Sequence, residues 1–145
     1  MSRAERQAGG NTVAVARMSS RIARLHNRRK DPAGALPYAA KAVRVSAAAG
    51  RQSSQIHGLY LVGLGDTYLA LGREEQALGN LNSALDIFQK LAVSKSGSSR
   101  KLAAQSFRRT GKKLIALHEK QDRLRAANEL RRRLDAMERE LAAAQ

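Results

Sequence analysis

Residues Leu61 to Phe88, LVGLGDTYLALGREEQALGNLNSALDIF, constrain the fold more than any other stretch of the chain. Two apolar-periodic segments are divided at Gly72, and the second opens on Glu74 and Glu75, an acidic pair that suits the positive end of a helix dipole. The pattern predicts one helix from about Gln55 to Leu71 and another from Glu74 to about Leu91, with glycine stopping the first. A helical hairpin of this kind buries its apolar faces only against neighbours. The rest of the chain must therefore supply them.

The flanking segments are helical too. Residues 1–10 lack periodicity and read as a loose basic tail. From Asn11, Val15, Met18, Ile22 and Leu25 follow one another by 3, 4 and 3 residues, the stripe of an amphipathic helix expected to face the core, with Arg17, Arg21, Arg24 and Arg28 off it. Asp31 and Pro32 suit the cap and first position of a second helix that ends at Gly50, and Pro37 either ends its first turn or kinks it. A fifth helix is predicted from Arg100 to about Leu117, capped by Ser98 or Ser99. In the last segment Ala127, Leu130, Leu134, Met137 and Leu141 form an apolar seam too short for a coiled coil, which favours a capping helix packed on its own domain. The fold class is all-α, in one domain over residues 11–145, with three helix pairs at about 11–50, 54–93 and 98–145.

The pairs are related to one another. A shift of 42 residues superposes Ala35, Ala39 and Ala42 on Ala77, Leu81 and Ala84, and Ile22 and Ala23 on Leu64 and Gly65. A forward shift of 46 superposes Thr110 to Leu117 on Leu64 to Leu71. In the middle pair Leu61, Leu64, Gly65 and Tyr68, followed by Ala77, Leu81 and Ala84, have the spacing at which a small residue admits a close helix crossing and a large one fills the gap beside it. Over residues 58–91 the chain resembles the tetratricopeptide repeat family, with Leu61 and Leu81 in place of the usual aromatics and Gln89 where proline is common. The intervals exceed the family's repeat of about 34 residues, and the longer loops are similar to those of the kinesin light chain type.

The resemblance implies a short right-handed α-solenoid of about three repeats with a C-terminal capping helix. It also implies a concave groove, lined by the first helix of each pair, that binds an extended or helical segment of a partner. Carried onto this sequence, the groove would present Arg17, Arg21, Arg24 and Arg28, then Val62, Asp66 and Leu69, then Arg108 and Lys112. The carboxylate-clamp members of the family use asparagine where Asp66 stands, so that particular ligand is not implied.

Charge gives this reading its chemistry. The chain holds 27 basic and 12 acidic residues, a net charge of +15. Residues 1–30 carry 8 basic and 1 acidic groups, residues 54–95 carry 3 and 4, and residues 96–120 carry 7 and 1. Arg108, Arg109, Lys112 and Lys113 form one face of the fifth helix opposite Phe107, Gly111 and Leu114, and no acidic residue lies between Arg100 and Leu117 to pair with them along the helix. Arg131 to Arg133 lie among Glu129, Asp135, Glu138 and Glu140 and read as a salt-bridged surface.

Catalytic chemistry finds no foothold. There is no cysteine, His26, His57 and His118 are scattered, and no glycine-rich loop ends in the lysine of a phosphate cradle. Glu74 and Glu75 serve a helix start, and Asp86 is four residues before Lys90, an ordinary ion-pair spacing. No enzyme activity, metal, cofactor or small-molecule substrate is expected, and no apolar run approaches the length of a membrane span. The expected function is a non-enzymatic interaction or scaffold module that docks an acidic protein segment within a larger complex. The alternatives are a ribosome-bound or organellar RNA-associated protein contacting phosphates, and a binder of an acidic filament such as the microtubule. The expected compartment is the cytoplasm, with the mitochondrial or another organellar matrix as the alternative, since the Arg- and Ser-rich N-terminus resembles a presequence.

Overall fold

A computed structural model of the chain describes residues 3–144, without the side chains of residues 4–11. Among the described residues there are six helices: α1 (Arg3–Arg28), α2 (Pro32–Ala48), α3 (Gln55–Ala70), α4 (Glu74–Ser94), α5 (Gly97–Lys120) and α6 (Leu124–Ala143). They follow the sequence reading, with α5 and α1 longer than expected: α5 starts at Gly97 and not at Arg100, so Ser98 and Ser99 lie inside it and Ser96 takes the cap position, without a side-chain hydrogen bond. Helix α1 begins at Arg3 and not at Asn11, so residues 3–10 of the expected tail are helical, while residues 1 and 2 lie outside the described residues. Ala4, Glu5, Arg6, Gln7 and Ala8 are all strong helix formers, and their propensity offsets the roughly 1 kcal/mol that each of Gly9 and Gly10 costs. Pro37 neither ends nor divides α2: it lies exposed inside the helix, where the carbonyl it leaves without its helical donor belongs to Ala33, itself an exposed residue.

The first helix of each pair ends in the same way. Gly72 has φ +74°, its N–H bonds to the Leu69 carbonyl at 3.0 Å, and the Arg73 N–H reaches back to the Tyr68 carbonyl at 2.8 Å, a left-handed cap that satisfies the last turn. Lys30 (φ +58°) and Asp122 (φ +59°) occupy the same turn without glycine, with Asp31 N–H on the His26 carbonyl at 2.9 Å and Arg123 N–H on the His118 carbonyl at 2.8 Å. These three turns fix the repeat register. Lys30 and Gly72 are 42 residues apart, as the sequence shift requires, but Gly72 and Asp122 are 50 apart. The shift of 46 read from Thr110 to Leu117 is thus one helical turn short. A slip of four residues is close to the 3.6-residue period, so it leaves the apolar face in phase and is invisible to pattern matching.

The chain forms two compact units that meet between Asn80 and Leu81. In the first, α1 packs along α2, and both reach α3. Its core is made of small residues around a few large ones: Ala23, Ala35 and Ala39 surround Leu64 and the half-buried Tyr68, while Ala16 and Ala42 close on Tyr60. Leu61, Gly65 and Ala77 are buried as well. The stripe Val15, Met18, Ile22 and Leu25 does not face this core. Ala16, Ser19 and Ala23 do, roughly 120° round the helix. Methyl-sized residues let α1 and α2 approach closely, which a face of Val, Met and Leu would prevent. Buried His57 is a core residue here, its Nδ1 3.0 Å from the hydroxyl of Ser46 on α2.

In the second unit Leu81, Ala84, Leu85, Phe88 and Ala92 on α4, Phe107 and Leu114 on α5, and Ala127 on α6 are buried. Helices α5 and α6 pack on each other, and a Cβ at Gly111 would come within 2.9 Å of Leu134 Cδ2, so glycine marks their close approach. Arg133 straps the unit together: its Nη2 donates to Asp86 Oδ1 at 3.0 Å and to Gln89, and its guanidinium lies 5.9 Å from the Phe107 ring centre. Asp86, expected from its spacing to pair with Lys90, is thus paired with Arg133 of α6. Arg131 pairs with Glu119 on α5 and with Asn128, so the arginine run is neutralised largely from other helices.

Candidate functional site

The outer surfaces of α1 and α3 in the first unit enclose an open groove of about 800 Å³, within the 300–1,000 Å³ typical of binding clefts. Helix α3 supplies its floor. Leu59, Val62, Gly63, Asp66 and Ala70 recur at helical spacing and so share one face, which is apolar except for Asp66. Helix α1 and the turn after it supply a cationic wall of Arg24, Arg28 and Lys30, with Asn27 at its base and Pro32 at the end. Asn27 is pinned: its Nδ2 donates to Thr67 Oγ1 at 3.1 Å, and that hydroxyl donates to the Gly63 carbonyl at 2.9 Å. This chain of bonds fixes the spacing of the two helices at the groove. With three cations and one carboxylate on its walls the groove is net positive, and Asp66 is already engaged within the fold.

The helix face that forms this wall follows from the sequence. Arg17, Arg21, Arg24 and Arg28 lie on one row of α1, opposite neither the core nor the apolar stripe. Only Arg24 and Arg28 of that row line the groove, while Arg21 and Arg17 are exposed about one and two turns earlier on α1. Of the expected α3 residues, Val62 and Asp66 line it and half-buried Leu69 does not. Leu59, Gly63 and Ala70 belong to the floor and were not foreseen, although their spacing from Val62 and Asp66 signals them. Asn27 was not foreseen either, and no sequence pattern marks a hydrogen bond across forty residues.

The basic face of α5 lies in the second unit. Arg108 is held there in a two-pronged contact with Glu138 of α6, Nη2 to Oε2 at 3.0 Å and Nε to Oε1. The pair holds the Glu138 carboxyl below its ordinary value and raises the guanidinium of Arg108, with Lys112 adding a weaker pull on the same carboxyl. Pairing absent along the helix is thus provided across it. Arg109 and Lys112 are exposed, and Lys113 is half-buried and engaged within the fold.

Two histidines give the fold a pH response. Burial lowers the His57 pKa from 6.5, and burial followed by the nearby Arg123 lowers that of His118, whose buried Nδ1 meets no hydrogen-bond partner among the described residues. A depressed folded-state pKa contributes stability that is present above the unfolded value and is lost as pH falls through the folded one. The expected result is a decline in unfolding free energy as pH drops below about 6.5, and a second below about 4 as Asp31 and Glu138, both also depressed, take up protons. Urea titrations from pH 8 to 3 measure this. His57→Gln should flatten the first decline, and an unchanged profile would show that His57 does not titrate on unfolding.

Among the described residues no helix is long and apolar enough to cross a membrane, and no group of His, Cys, Asp and Glu could hold a metal ion. No curated protein and no solved structure matches the chain. The tetratricopeptide repeat family model does match it, over residues 14–90, a span that takes in α1 from residue 14 onward, α2, α3 and most of α4. That span contains the 42-residue register, the alternation of small and large residues in the first core, and the groove between the first helices of two successive pairs. The chain belongs to the tetratricopeptide repeat family, whose role in general is protein interaction.

Proposed function

We propose that this protein is a non-enzymatic adaptor whose α1–α3 groove docks an acidic segment of a protein partner within a larger assembly. The observation that carries the reading is the groove itself, where a strip of Leu59, Val62, Gly63 and Ala70 lies beside Arg24, Arg28 and Lys30. Apolar side chains of a segment would enter the strip while its carboxylates meet the arginines, whose planar forks suit bidentate contact. An RNA strand would use the cations but gain little from an aliphatic floor that offers no aromatic for base stacking. The reading is of a cytoplasmic protein, with an organellar matrix as the alternative compartment.

Gly63 offers a clean test. A Cβ there meets nothing within 4 Å, so a side chain can leave the helix at this point of the groove floor without displacing a neighbour at its first atom. Gly63→Phe is expected to leave stability unchanged within about 0.5 kcal/mol, since any residue but proline favours a helix over glycine. It should nevertheless abolish capture of the groove partner in pull-downs made with and without nuclease. Retention by the variant of every protein that the wild type captures, or release of them all by nuclease, would refute the reading.

A further inference from the structure

The first hairpin carries an apolar face that nothing in the described structure covers. Val15, Met18 and Leu25 are 39%, 56% and 52% exposed, with half-buried Ile22 between them. Scattered apolar residues are ordinary on a surface, but these four form one continuous ridge at 3, 4 and 3 spacing. The ridge lies on the side of α1 away from α3, which α1 meets through Ala16, Ala23 and Asn27.

The repeat register says what such a ridge is for. Moved forward by the 42 residues that relate Lys30 to Gly72, Val15, Met18, Ile22 and Leu25 fall on His57, Tyr60, Leu64 and Thr67 of α3. Those four are at most 7% exposed, and each is covered by the hairpin before it: His57 by Ser46, Tyr60 by Ala16 and Ala42, Leu64 by Ala23, Ala35 and Ala39, and Thr67 by Asn27. The ridge on α1 is thus the same stacking face, one repeat earlier, with its cover missing from the described residues.

We infer that this face receives a helical hairpin from a different protein, packed on α1 as α1 and α2 pack on α3. The cover that α3 receives defines the chemistry of the occupant: its contacting face is rich in Ala and Ser, since larger residues would hold the helices apart. Exposed Arg17 and Arg21 border the ridge, so the flank of the occupant that meets them is acidic. A second copy of this chain, stacked head to tail, does not meet the requirement. By the register of the three turns, the positions of Ala16, Asn27, Ala39 and Ser46 are taken in the third hairpin by Arg108, Glu119, Arg131 and Glu138. These form the ion pairs Arg108–Glu138 and Arg131–Glu119, a polar surface of the kind that closes a repeat array. Two ridges laid face to face would bring the arginine rows of two +15 chains together.

The test uses p-benzoylphenylalanine at Met18 in the full-length chain, irradiated in cells, with the same residue at exposed Lys41 of α2 as control. A cross-link to a different protein is expected at Met18 and not at Lys41, mapping to a helical segment with Ala or Ser at its contact positions. That segment, produced recombinantly, should bind the unmodified chain, and Leu25→Glu should weaken it at least tenfold while Gly63→Phe leaves it intact. Leu25 is exposed, so the variant is expected to fold, and its circular dichroism and melting curve check this. Adducts with another copy of this chain or with lipid, a non-helical contact segment, or no adduct above the Lys41 control would each overturn the inference. So would loss of binding in Gly63→Phe, which would return the partner to the groove.

Discussion

Phe107→Ala is expected to destabilise the second unit by about 3–5 kcal/mol, a large share of what a domain of this size possesses. The ring is fully buried on the inner face of α5, and its removal leaves a cavity that close-packed neighbours fill only in part. It also strips Arg133 of the aromatic face beneath its guanidinium, loosening the strap from α6 to Asp86 and Gln89 on α4. Leu102→Ala on the same helix is the control: Leu102 is exposed, and its loss should change stability by no more than about 0.5 kcal/mol. Denaturant titrations of both variants check the contrast. Equal effects would mean that α5 does not bury Phe107 in solution.

The second large effect is expected on binding. In the double variant Arg24→Glu, Arg28→Glu, two cations of the groove wall become carboxylates facing an acidic segment. Like-charge contact of this kind costs several kcal/mol, so affinity for the segment recovered with the wild type should fall by about 100-fold or more. Arg109→Glu, Lys112→Glu makes the same change in net charge on α5, outside the groove, and should alter affinity only about threefold. Calorimetric titration at two salt concentrations separates the outcomes. Equal losses from both pairs, with a steep dependence on salt, would point to a diffuse polyanion contact such as RNA.

Much of this was legible in the residues. Gly72 and the Glu74–Glu75 pair marked the hairpin turn because glycine at a left-handed cap and acids at a helix start act through local backbone geometry, which needs no tertiary context. The spacing from Leu61 to Ala84 identified the repeat for the same reason, since periodicity reports which residues share a face. The groove was legible in part: Arg24, Arg28, Val62 and Asp66 were placed by helix phase and family resemblance, and they do line one cleft. Lys30 and Asp122 were not recognised as turns equivalent to Gly72, because a non-glycine residue in the left-handed region leaves no mark in the sequence.

What the sequence determined by itself was the set of helices, which residues share a face, and the 42-residue interval between the first two hairpins, all consequences of local propensity and period. The tertiary structure alone decided which face of α1 is inside. Val15, Met18, Ile22 and Leu25 form the stronger apolar stripe, yet Ala16, Ser19 and Ala23 are buried, because a close crossing with α2 selects residues by size as well as by hydrophobicity. It also decided that Arg108 finds Glu138 and that Asn27 finds Thr67. Such pairs depend on how far one helix slides along another, and helical period leaves that distance free.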